Sequence, residues 1–377
     1  MWKVPLFDLN FDQREEEAVS TVVKSRWLTM GERTKHFEEC FSSFLGHGAR
    51  SVAVSSATAA LHMGLLALGV KSGDEVIVPG LTFVADANVV CMVGATPVLA
   101  DSQSLDNWNV DAASIEKKIT SKTKAVIIVH FAGYPCEMDG IVDLCNKNKL
   151  ALIEDVAHAP GAAINGRLCG TFGDVGCFSF FSNKNLSVGE GGMAVATSEH
   201  VAANLASLRS HGMSSLTLDR HKGRSTSYDV EQIGLNYRMD EIRAAIGLVQ
   251  LDKLEFGNHL RKIHTDCYRA ELAEVSVKIP FEKLAEGSTS SYHIMPVLLP
   301  ESVCREDVMG VLKDRGIQSS IHYPPFWNFT AYTKITRESD APFVASICER
   351  ELTLPLYPTM SVEQRHHVVT VLKEAIS

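Results

Sequence analysis

The 377-residue sequence contains no uninterrupted apolar run of the ~18 residues that a membrane-spanning helix needs. Its first residues, Met1-Trp2-Lys3-Val4-Pro5, lack the apolar core of a secretory signal peptide. The 36 basic and 45 acidic residues give a net charge of −9, which argues against nucleic acid or an anionic membrane as the main partner. Neither nucleic acid nor a membrane is therefore expected as a partner, and the protein is expected in the cytoplasm.

Cysteine pairs with the spacing of a metal site or a redox site are also missing. The nine cysteines are scattered, their number is odd, and none forms a C-x-x-C pair. This distribution argues against a disulfide framework and against a zinc ribbon. The Walker P-loop, H-E-x-x-H and G-x-S-x-G motifs are absent as well. We expect reduced thiols and no metal site.

A dinucleotide fingerprint is present, but its surroundings are wrong. Residues 189–194 read G-x-G-x-x-A. That fingerprint requires a strand before it and a helix after it. Residues 193–197 instead have the pattern of a strand, so we reject a nicotinamide cofactor.

Short apolar runs rich in β-branched residues recur through the first two thirds of the chain. Each is bounded by Gly, Pro, Asp or Ser, which is typical of strands buried on both faces. The intervals between them are long enough for crossover helices, so the pattern predicts an α/β fold with a mainly parallel sheet. The predicted strands are residues 75–78, 97–100, 125–129, 151–153 and 175–181.

The pattern changes after about residue 252, and we predict a domain boundary near residue 250. Residues 1–250 form a large domain and residues 251–377 a smaller one, on which the N-terminal segment can pack. Helices are predicted at 34–46, 57–68 and 240–249 before the boundary, and at 253–272, 303–315 and 362–376 after it. A strand is predicted at 292–299 and a Pro/aromatic loop at 323–327.

Three short segments could carry chemistry. Ser55-Ser56-Ala57-Thr58 lies between a strand and a helix, where it could bind a phosphate or act as an ordinary helix cap. Asp155 follows a buried strand and requires a cation, unless it caps a helix, and His158 alone is more typical of packing. Lys184 lies between an aromatic strand and a Gly-rich turn, either as a desolvated nucleophile or as an exposed loop lysine.

Taken together, these segments resemble the DegT/DnrJ/StrS family of nucleotide-sugar aminotransferases, which depend on pyridoxal 5′-phosphate (PLP). The resemblance follows chain order almost end to end, through SRWLTMG (25–31), SSATAALH (55–62), GDEVI (73–77), TFVA (82–85), EDVAHA (154–159), SFFSNKNLSVGEGG (179–192), GLNYRM (234–239) and LPLYP (354–358). It implies the fold-type I, aspartate aminotransferase-like architecture. This architecture is a large PLP-binding domain with a mainly parallel central sheet plus a smaller C-terminal α+β domain.

The resemblance also implies roles for individual residues. Lys184 would form the Schiff base with PLP and shuttle the proton, Asp155 would pair with the pyridine nitrogen, and His158 would complete the catalytic set. Asn236 would reach the phosphate held by the neighbouring subunit of a homodimer, so that active sites are shared. The full set of implied cofactor contacts is Ser56, Ala57, Thr58, Phe83, Asp155, His158, Ser179, Lys184 and Asn236.

Substrate contacts are implied near the mouth of the same site, at Trp27, Thr29, Arg238, His322 and Tyr323. Packing remains an equal alternative for Trp27, and a dimer salt bridge remains one for Arg238. The sequence departs from the family pattern at Pro79-Gly80, where Ser often follows the Pro, and at Trp327, where a His is frequent.

The implied activity is transfer of an amino group, with L-glutamate as donor, to a keto sugar of a nucleoside-diphosphate sugar. A 4-keto-6-deoxyhexose is favoured, and the pathway would be amino-sugar biosynthesis for polysaccharide, lipopolysaccharide or secondary metabolites. Three alternatives stay open: a sugar dehydratase, a cyclitol aminotransferase and a non-catalytic regulatory protein on the same fold. The dehydratase typically lacks the lysine, and a binding protein need not keep it.

Overall fold

The computed structural model describes residues 2–214, 227–336 and 340–376. Its strands are β1 Arg50–Val54, β2 Glu75–Pro79, β3 Thr96–Ala100, β4 Thr123–Val129, β5 Ala151–Asp155, β6 Ala163–Ile164, β7 Arg167–Leu168, β8 Val175–Ser179, β9 Gly192–Ala196, β10 Ser288–Thr289, β11 Met295–Leu298 and β12 Glu351–Leu354. Its α-helices are α1 Gln13–Ser25, α2 Glu32–Leu45, α3 Ala57–Ala67, α4 Ala85–Met92, α5 Ala112–Glu116, α6 Met138–Asn148, α7 Glu199–Arg209, α8 Glu241–Leu272, α9 Arg305–Asp314, α10 Pro342–Arg350 and α11 Val362–Ile376. Short 3-10 helices lie at Phe131–Gly133 and Phe326–Asn328.

A seven-stranded sheet in the order β1-β9-β8-β5-β4-β2-β3 forms the centre of the molecule. Four of its pairings are parallel, and β9 pairs antiparallel with both β1 and β8. The mainly parallel α/β sheet predicted from the sequence is therefore confirmed. The carboxyl ends of β5 and β8 lie side by side, so side chains that follow these strands meet at one edge.

Helices cover both faces of this sheet. On one face, α2 inserts Phe37 and Phe41 against Phe178 and Phe180 of the β8 segment, with ring centroids 5.0–5.6 Å apart. A Cβ atom at Gly247 of α8 would lie 2.6 Å from the Phe37 ring, so glycine lets the helix approach closely. The aromatic stripe predicted for α2 thus forms core, as its periodicity indicates.

Helix α8 is a single 32-residue helix, whereas the sequence predicted two helices separated near residue 250. Its apolar residues change partners along its length, which explains the change of pattern. Ala244 and Leu254 pack in the aromatic cluster beneath the central sheet, and Tyr268 and Leu272 pack in the C-terminal cluster. The predicted boundary falls inside this helix, and the division into two domains stays a prediction.

The C-terminal elements surround the antiparallel pair β11–β12. Helices α9 and α11 pack together there, and Val4 joins the same apolar cluster. The N-terminal segment adds backbone contacts, since the Leu356 N–H donates to the Leu6 carbonyl at 3.2 Å. One buried cation ties α8 to this region: Arg261 Nη1 donates to the carbonyls of His293 (3.0 Å) and Leu356 (2.9 Å).

All nine cysteines are free thiols. In the described ranges, every helix is too short or too polar to cross a lipid bilayer. Across the same residues, no group of three or more His, Cys, Asp or Glu side chains is arranged to hold a metal ion.

Candidate active site

A pocket of about 310 Å³ opens at the carboxyl ends of β5 and β8 and at the start of α3. Asp155 ends β5, Ser179 ends β8, and Ala57 begins α3. The sequence-predicted residues that line it are Ser56, Ala57, Thr58, Phe83, Asp155, His158, Ser179, Lys184, His322 and Tyr323. Residues far apart in the chain therefore meet at the edge of the sheet where ligands of such folds bind.

Lys184 lies in the turn after β8 and is half-buried. Its backbone N–H donates to the Phe181 carbonyl at 2.9 Å, which fixes the turn. Burial lowers the pKa of its amine from 10.5 to about 8, and the negative charge of Asp155 opposes that shift. A substantial fraction of the amine is therefore neutral at physiological pH, as a nucleophile requires.

Asp155 is buried and faces the same pocket. Its Oδ1 accepts the Ala157 N–H at 2.8 Å. Burial raises the pKa of the carboxyl, while the Ala157 hydrogen bond and the charges of Lys184 and His130 act to lower it. Turns rather than a helix follow Asp155, so the helix-cap alternative does not apply.

The neighbouring acid, Glu154, has a different function because successive side chains of a strand point to opposite faces. Its carboxylate accepts the backbone N–H groups of Gly170, Phe172 and Gly173 at 2.7 Å each and contacts His130 at 3.0 Å. Glu154 therefore fastens the loop between β7 and β8. Of the two adjacent acids, Asp155 is the one that reaches the pocket.

His158 fixes the position of Tyr323. The His158 Nδ1 accepts the Ala132 N–H at 3.2 Å, so the proton of the neutral ring lies on Nε2 and is donated to the Tyr323 hydroxyl at 2.8 Å. Burial and the charge of Lys184 lower the pKa of His158 well below 6.5, which keeps the ring neutral. The Tyr323 proton thus remains available to a ligand in the pocket.

His293 was missed by sequence reasoning, although it contacts the lysine directly. Its Nε2 lies 3.4 Å from Lys184 Nζ. The Asn185 amide donates to Asn258 and to the Ser291 carbonyl, which leaves its oxygen to accept His293 Nδ1–H at 2.8 Å. The lone pair on His293 Nε2 therefore faces the amine. No local pattern marked this residue, since the contact spans 109 positions of the chain.

Asp86 is a second residue that the sequence did not indicate. Its carboxyl is fully buried, and its Oδ2 accepts the Thr82 hydroxyl at 2.5 Å. Within the described part of the chain, its buried Oδ1 has no hydrogen-bond partner. Burial and the charge of Asp155 raise the pKa of Asp86 well above 3.8, which favours the protonated form of this carboxyl.

The start of α3 offers an anion-binding site. Ser56 caps the helix, with its Oγ accepting the Ala59 N–H at 3.1 Å, and Ala57 and Thr58 line the pocket. A Cβ at Gly192 would lie 2.5 Å from the Ser56 carbonyl carbon, so only glycine allows β9 to approach this turn. Because a helix N-terminus favours negative charge, capping and phosphate binding are compatible here.

Several sequence-predicted residues do not line this pocket. Asn236 is exposed and pairs with Ser210 through a β-bridge, and Arg238 pairs with Val54 in the same manner. Thr29 is exposed, and Trp27 packs on Gly31, where a Cβ atom would lie 2.5 Å from the indole nitrogen. Trp327 is buried in the core.

The pocket suits the chemical parts of PLP. A partly neutral amine is available for the aldehyde, a buried acid for the pyridine nitrogen, a helix N-terminus for the phosphate and the 55%-exposed Phe83 ring for the flat face. The buried charge of Asp155 is costly unless a cation meets it, and a protonated pyridine nitrogen is such a cation.

Comparison with known proteins agrees with this geometry. Residues 10–373 match the model of the DegT/DnrJ/EryC1/StrS aminotransferase family. The GDP-perosamine synthase of Escherichia coli O157:H7 is 34% identical, over 99% of this chain and 99% of its own. The spore coat polysaccharide biosynthesis protein SpsC of Bacillus subtilis is also 34% identical, over 97% of this chain and 95% of its own.

The solved structures give the same result for the fold. The putative sugar aminotransferase Spr1654 of Streptococcus pneumoniae, in its PMP form, superposes with a TM-score of 0.91 at 30% identity, covering 100% of this chain and 98% of that one. The same protein has also been solved in its PLP form. The chain therefore belongs to the DegT/DnrJ/EryC1/StrS aminotransferase family and is a PLP-dependent aminotransferase.

Proposed function

We propose that this enzyme transfers an amino group from an amino acid, L-glutamate, to the ketone of a sugar carried on a nucleoside diphosphate. A 4-keto-6-deoxyhexose is the acceptor that we favour, with a role in amino-sugar biosynthesis. GDP-perosamine synthases of two organisms, each at least 32% identical over 98% or more of this chain, support that substrate class.

The observation that carries the proposal is the convergence of Lys184 and Asp155 on one pocket. Each charge acts on the pKa of the other, although Asp155 ends strand β5 and Lys184 lies in the turn after β8. A sensor or a structural protein has no need for a half-buried lysine with a lowered pKa in the same pocket as a buried acid.

In this proposal, Lys184 would hold PLP covalently, and the cofactor would supply an electron sink for negative charge on the substrate carbon. Lys184 Nζ would carry the proton between the two carbons that flank the transferred nitrogen in each half-reaction. Asp155 holds the charge opposite the pyridine nitrogen, and His158 orients Tyr323. The lone pair on His293 Nε2 accepts a hydrogen bond from the lysine amine and keeps it directed into the pocket.

The remaining sequence-predicted contacts complete the proposal. Ser56, Ala57, Thr58 and Ser179 would hold the phosphate, and Phe83 would cover the ring. His322 and Tyr323 would contact the sugar. Asn236 would reach the phosphate held by the neighbouring subunit, and Trp27, Thr29 and Arg238 would contact substrate at the mouth of the site, although none of the four lines this chain's own pocket. We therefore propose a homodimer with shared active sites, located in the cytoplasm.

The proposal is tested with purified protein, PLP, L-glutamate and a panel of keto sugar nucleotides, with mass spectrometry of the products. We expect 2-oxoglutarate from the first half-reaction and an amino sugar nucleotide from the second. Lys184→Ala should lower turnover by ~10²–10⁴-fold, the contribution that a positioned acid–base group makes. Lys184→Arg keeps the positive charge but not the nucleophile, and it should be equally inactive.

The alternatives give different products. Loss of a sugar hydroxyl without gain of nitrogen would identify a dehydratase. Amination of cyclitol ketones, but of no keto sugar nucleotide, would identify a cyclitol aminotransferase. Retention of PLP with no conversion of glutamate to 2-oxoglutarate would contradict transamination and favour a sensor.

A further inference from the structure

A line of hydrogen bonds leads from the pocket wall into the protein interior. His322 lines the pocket, and its Nδ1 lies 2.8 Å from the Thr353 hydroxyl. That hydroxyl lies 2.5 Å from Glu351 Oε1. The other oxygen of Glu351 accepts the His322 backbone N–H at 2.7 Å. Glu351 and Thr353 lie on strand β12, and none of the roles proposed above uses them.

Glu351 is fully buried, with a relative exposure of 0%. Burial raises the pKa of its carboxyl from 4.5 to about 8, while Thr353, the His322 N–H and the charge of Arg305 act in the opposite direction. Burial and the charge of Lys184 lower the pKa of His322 to about 3, so its ring stays neutral. The titratable groups that face this line from neighbouring elements are Arg305, Tyr323 and Cys348 around Glu351, with Lys184, His158 and His293 around His322.

The charge of Glu351 determines which group donates and which accepts in each hydrogen bond of this line. An ionised carboxylate only accepts, so the Thr353 hydroxyl donates to it and His322 Nδ1–H donates to Thr353. His322 Nε2 then carries a lone pair. A protonated carboxyl donates instead, so Thr353 donates to Nδ1 and the imidazole proton moves to Nε2.

We propose that Glu351 is a positioning residue that acts through the Thr353 hydroxyl and decides which nitrogen of His322 carries the proton. Since Nδ1 is occupied by Thr353, Nε2 is the nitrogen left for a ligand in the pocket. The pocket wall thus offers a donor when Glu351 is protonated and an acceptor when it is ionised. A sugar hydroxyl can use either, whereas a carbonyl oxygen can use only the donor.

The main test needs neither cofactor nor turnover. Nitrogen NMR of protein with ¹⁵N-labelled histidine distinguishes the two neutral tautomers, and His322→Gln identifies the signal. We expect the His322 proton to lie on Nε2 well below pH 8 and on Nδ1 well above it. A tautomer that stays the same across this range would overturn the proposal, even if the enzyme is a transaminase.

Variants of the line give matched controls. Thr353→Ser keeps the hydroxyl and should keep the change of tautomer, whereas Thr353→Val should abolish it. Glu351→Gln must accept the His322 N–H with its oxygen, so its amide donates to Thr353 and should hold the proton on Nε2 at every pH. A tautomer change in the Val variant equal to that in the Ser variant would show that the line does not carry the effect.

A second measurement deepens the proposed function and depends on it. In native enzyme, the KM for the keto sugar nucleotide should change across the Glu351 titration, while Glu351→Gln should show no such step. If transamination itself fails, only this measurement is lost, and the NMR result still decides the role of Glu351.

Discussion

Lys184 can react with PLP only as a neutral amine, so its pKa determines when the empty enzyme can load its cofactor. Burial lowers that pKa to about 8. The rate of PLP capture by apoprotein should therefore rise with pH and level off above about 8. Stopped-flow absorbance after mixing with PLP measures this rate.

Asp155 provides the control for that pH profile. Its negative charge raises the Lys184 pKa, against the effect of burial. In Asp155→Asn the midpoint should move to lower pH, and retention of PLP should weaken by about 3–5 kcal/mol, the cost of leaving a buried charge unpaired. A midpoint that moved upward would mean that the two charges do not interact as the geometry indicates.

The negative charge of Asp86 should destabilise the folded protein. An acid whose folded pKa is raised costs stability at every pH above its unfolded pKa of about 4. Asp86→Asn keeps the shape without that cost, so its melting temperature should exceed that of the native protein at pH 8. The difference should shrink as the pH falls toward 4. Asp86→Ala, which leaves the Thr82 hydroxyl unpaired, should instead lose about 1–3 kcal/mol.

Residues of the site differ in how far the sequence could predict them. Asp155 follows a strand with a clear apolar pattern, so its place at a sheet edge followed from that pattern. The pattern around Lys184 left an exposed loop lysine open, and its role was implied by the family resemblance. His293 and Asp86 have no such signal. His293 reaches Lys184 across 109 residues, and Asp86 lies inside a helix among apolar neighbours. Contacts of this kind arise from tertiary packing and cannot be predicted from the residues that neighbour them in the sequence.

At the scale of elements, α2 depends on a residue of another helix. Glu241, in the first turn of α8, accepts the backbone N–H groups of Gly31, Arg33 and Thr34 at 2.8 Å each, and the Thr34 hydroxyl at 2.7 Å. The N-cap residue of α2, Gly31, offers no side chain. A carboxylate 210 positions away therefore caps the helix, which explains why α2 begins at Glu32, earlier than the sequence predicted.

This remote cap predicts a large effect of one substitution. Glu241→Ala leaves several buried donors unsatisfied and should lower the free energy of unfolding by about 3 kcal/mol. Urea denaturation measures that loss. Asp240→Ala removes an ordinary cap of α8, the bond from Arg243 N–H to Asp240 Oδ1 at 2.9 Å, and should cost only ~1 kcal/mol. Equal losses in the two variants would argue against the remote cap.

At the scale of the whole molecule, the sequence predicted the fold class correctly because buried parallel strands leave a clear pattern of apolar runs. It did not predict that α8 is continuous. The helix packs against different clusters at its two ends, so its apolar periodicity looks interrupted near residue 250. Which cluster a helix contacts is decided by the tertiary fold, and a local pattern cannot show it.

The proposed homodimer can be tested by complementation. If Asn236 serves the partner's site, mixing Lys184→Ala protein with Asn236→Ala protein should restore activity, because each hybrid dimer contains one site with both residues intact. With random exchange of subunits the restored activity should approach about a quarter of the native value. Absence of any restoration, with subunit exchange demonstrated by mass spectrometry, would place Asn236 outside the shared site.

The buried guanidinium of Arg261 has a consequence for how the molecule unfolds. It ties the long helix to the backbone of His293, next to the pocket, and to that of Leu356, near the C-terminal pair of strands. If either attachment opens, the guanidinium and the carbonyl that it leaves become unpaired polar groups, so the two regions should unfold together. In a calorimeter the protein should absorb heat in a single peak, and Arg261→Met, which removes both tethers, should split that peak in two.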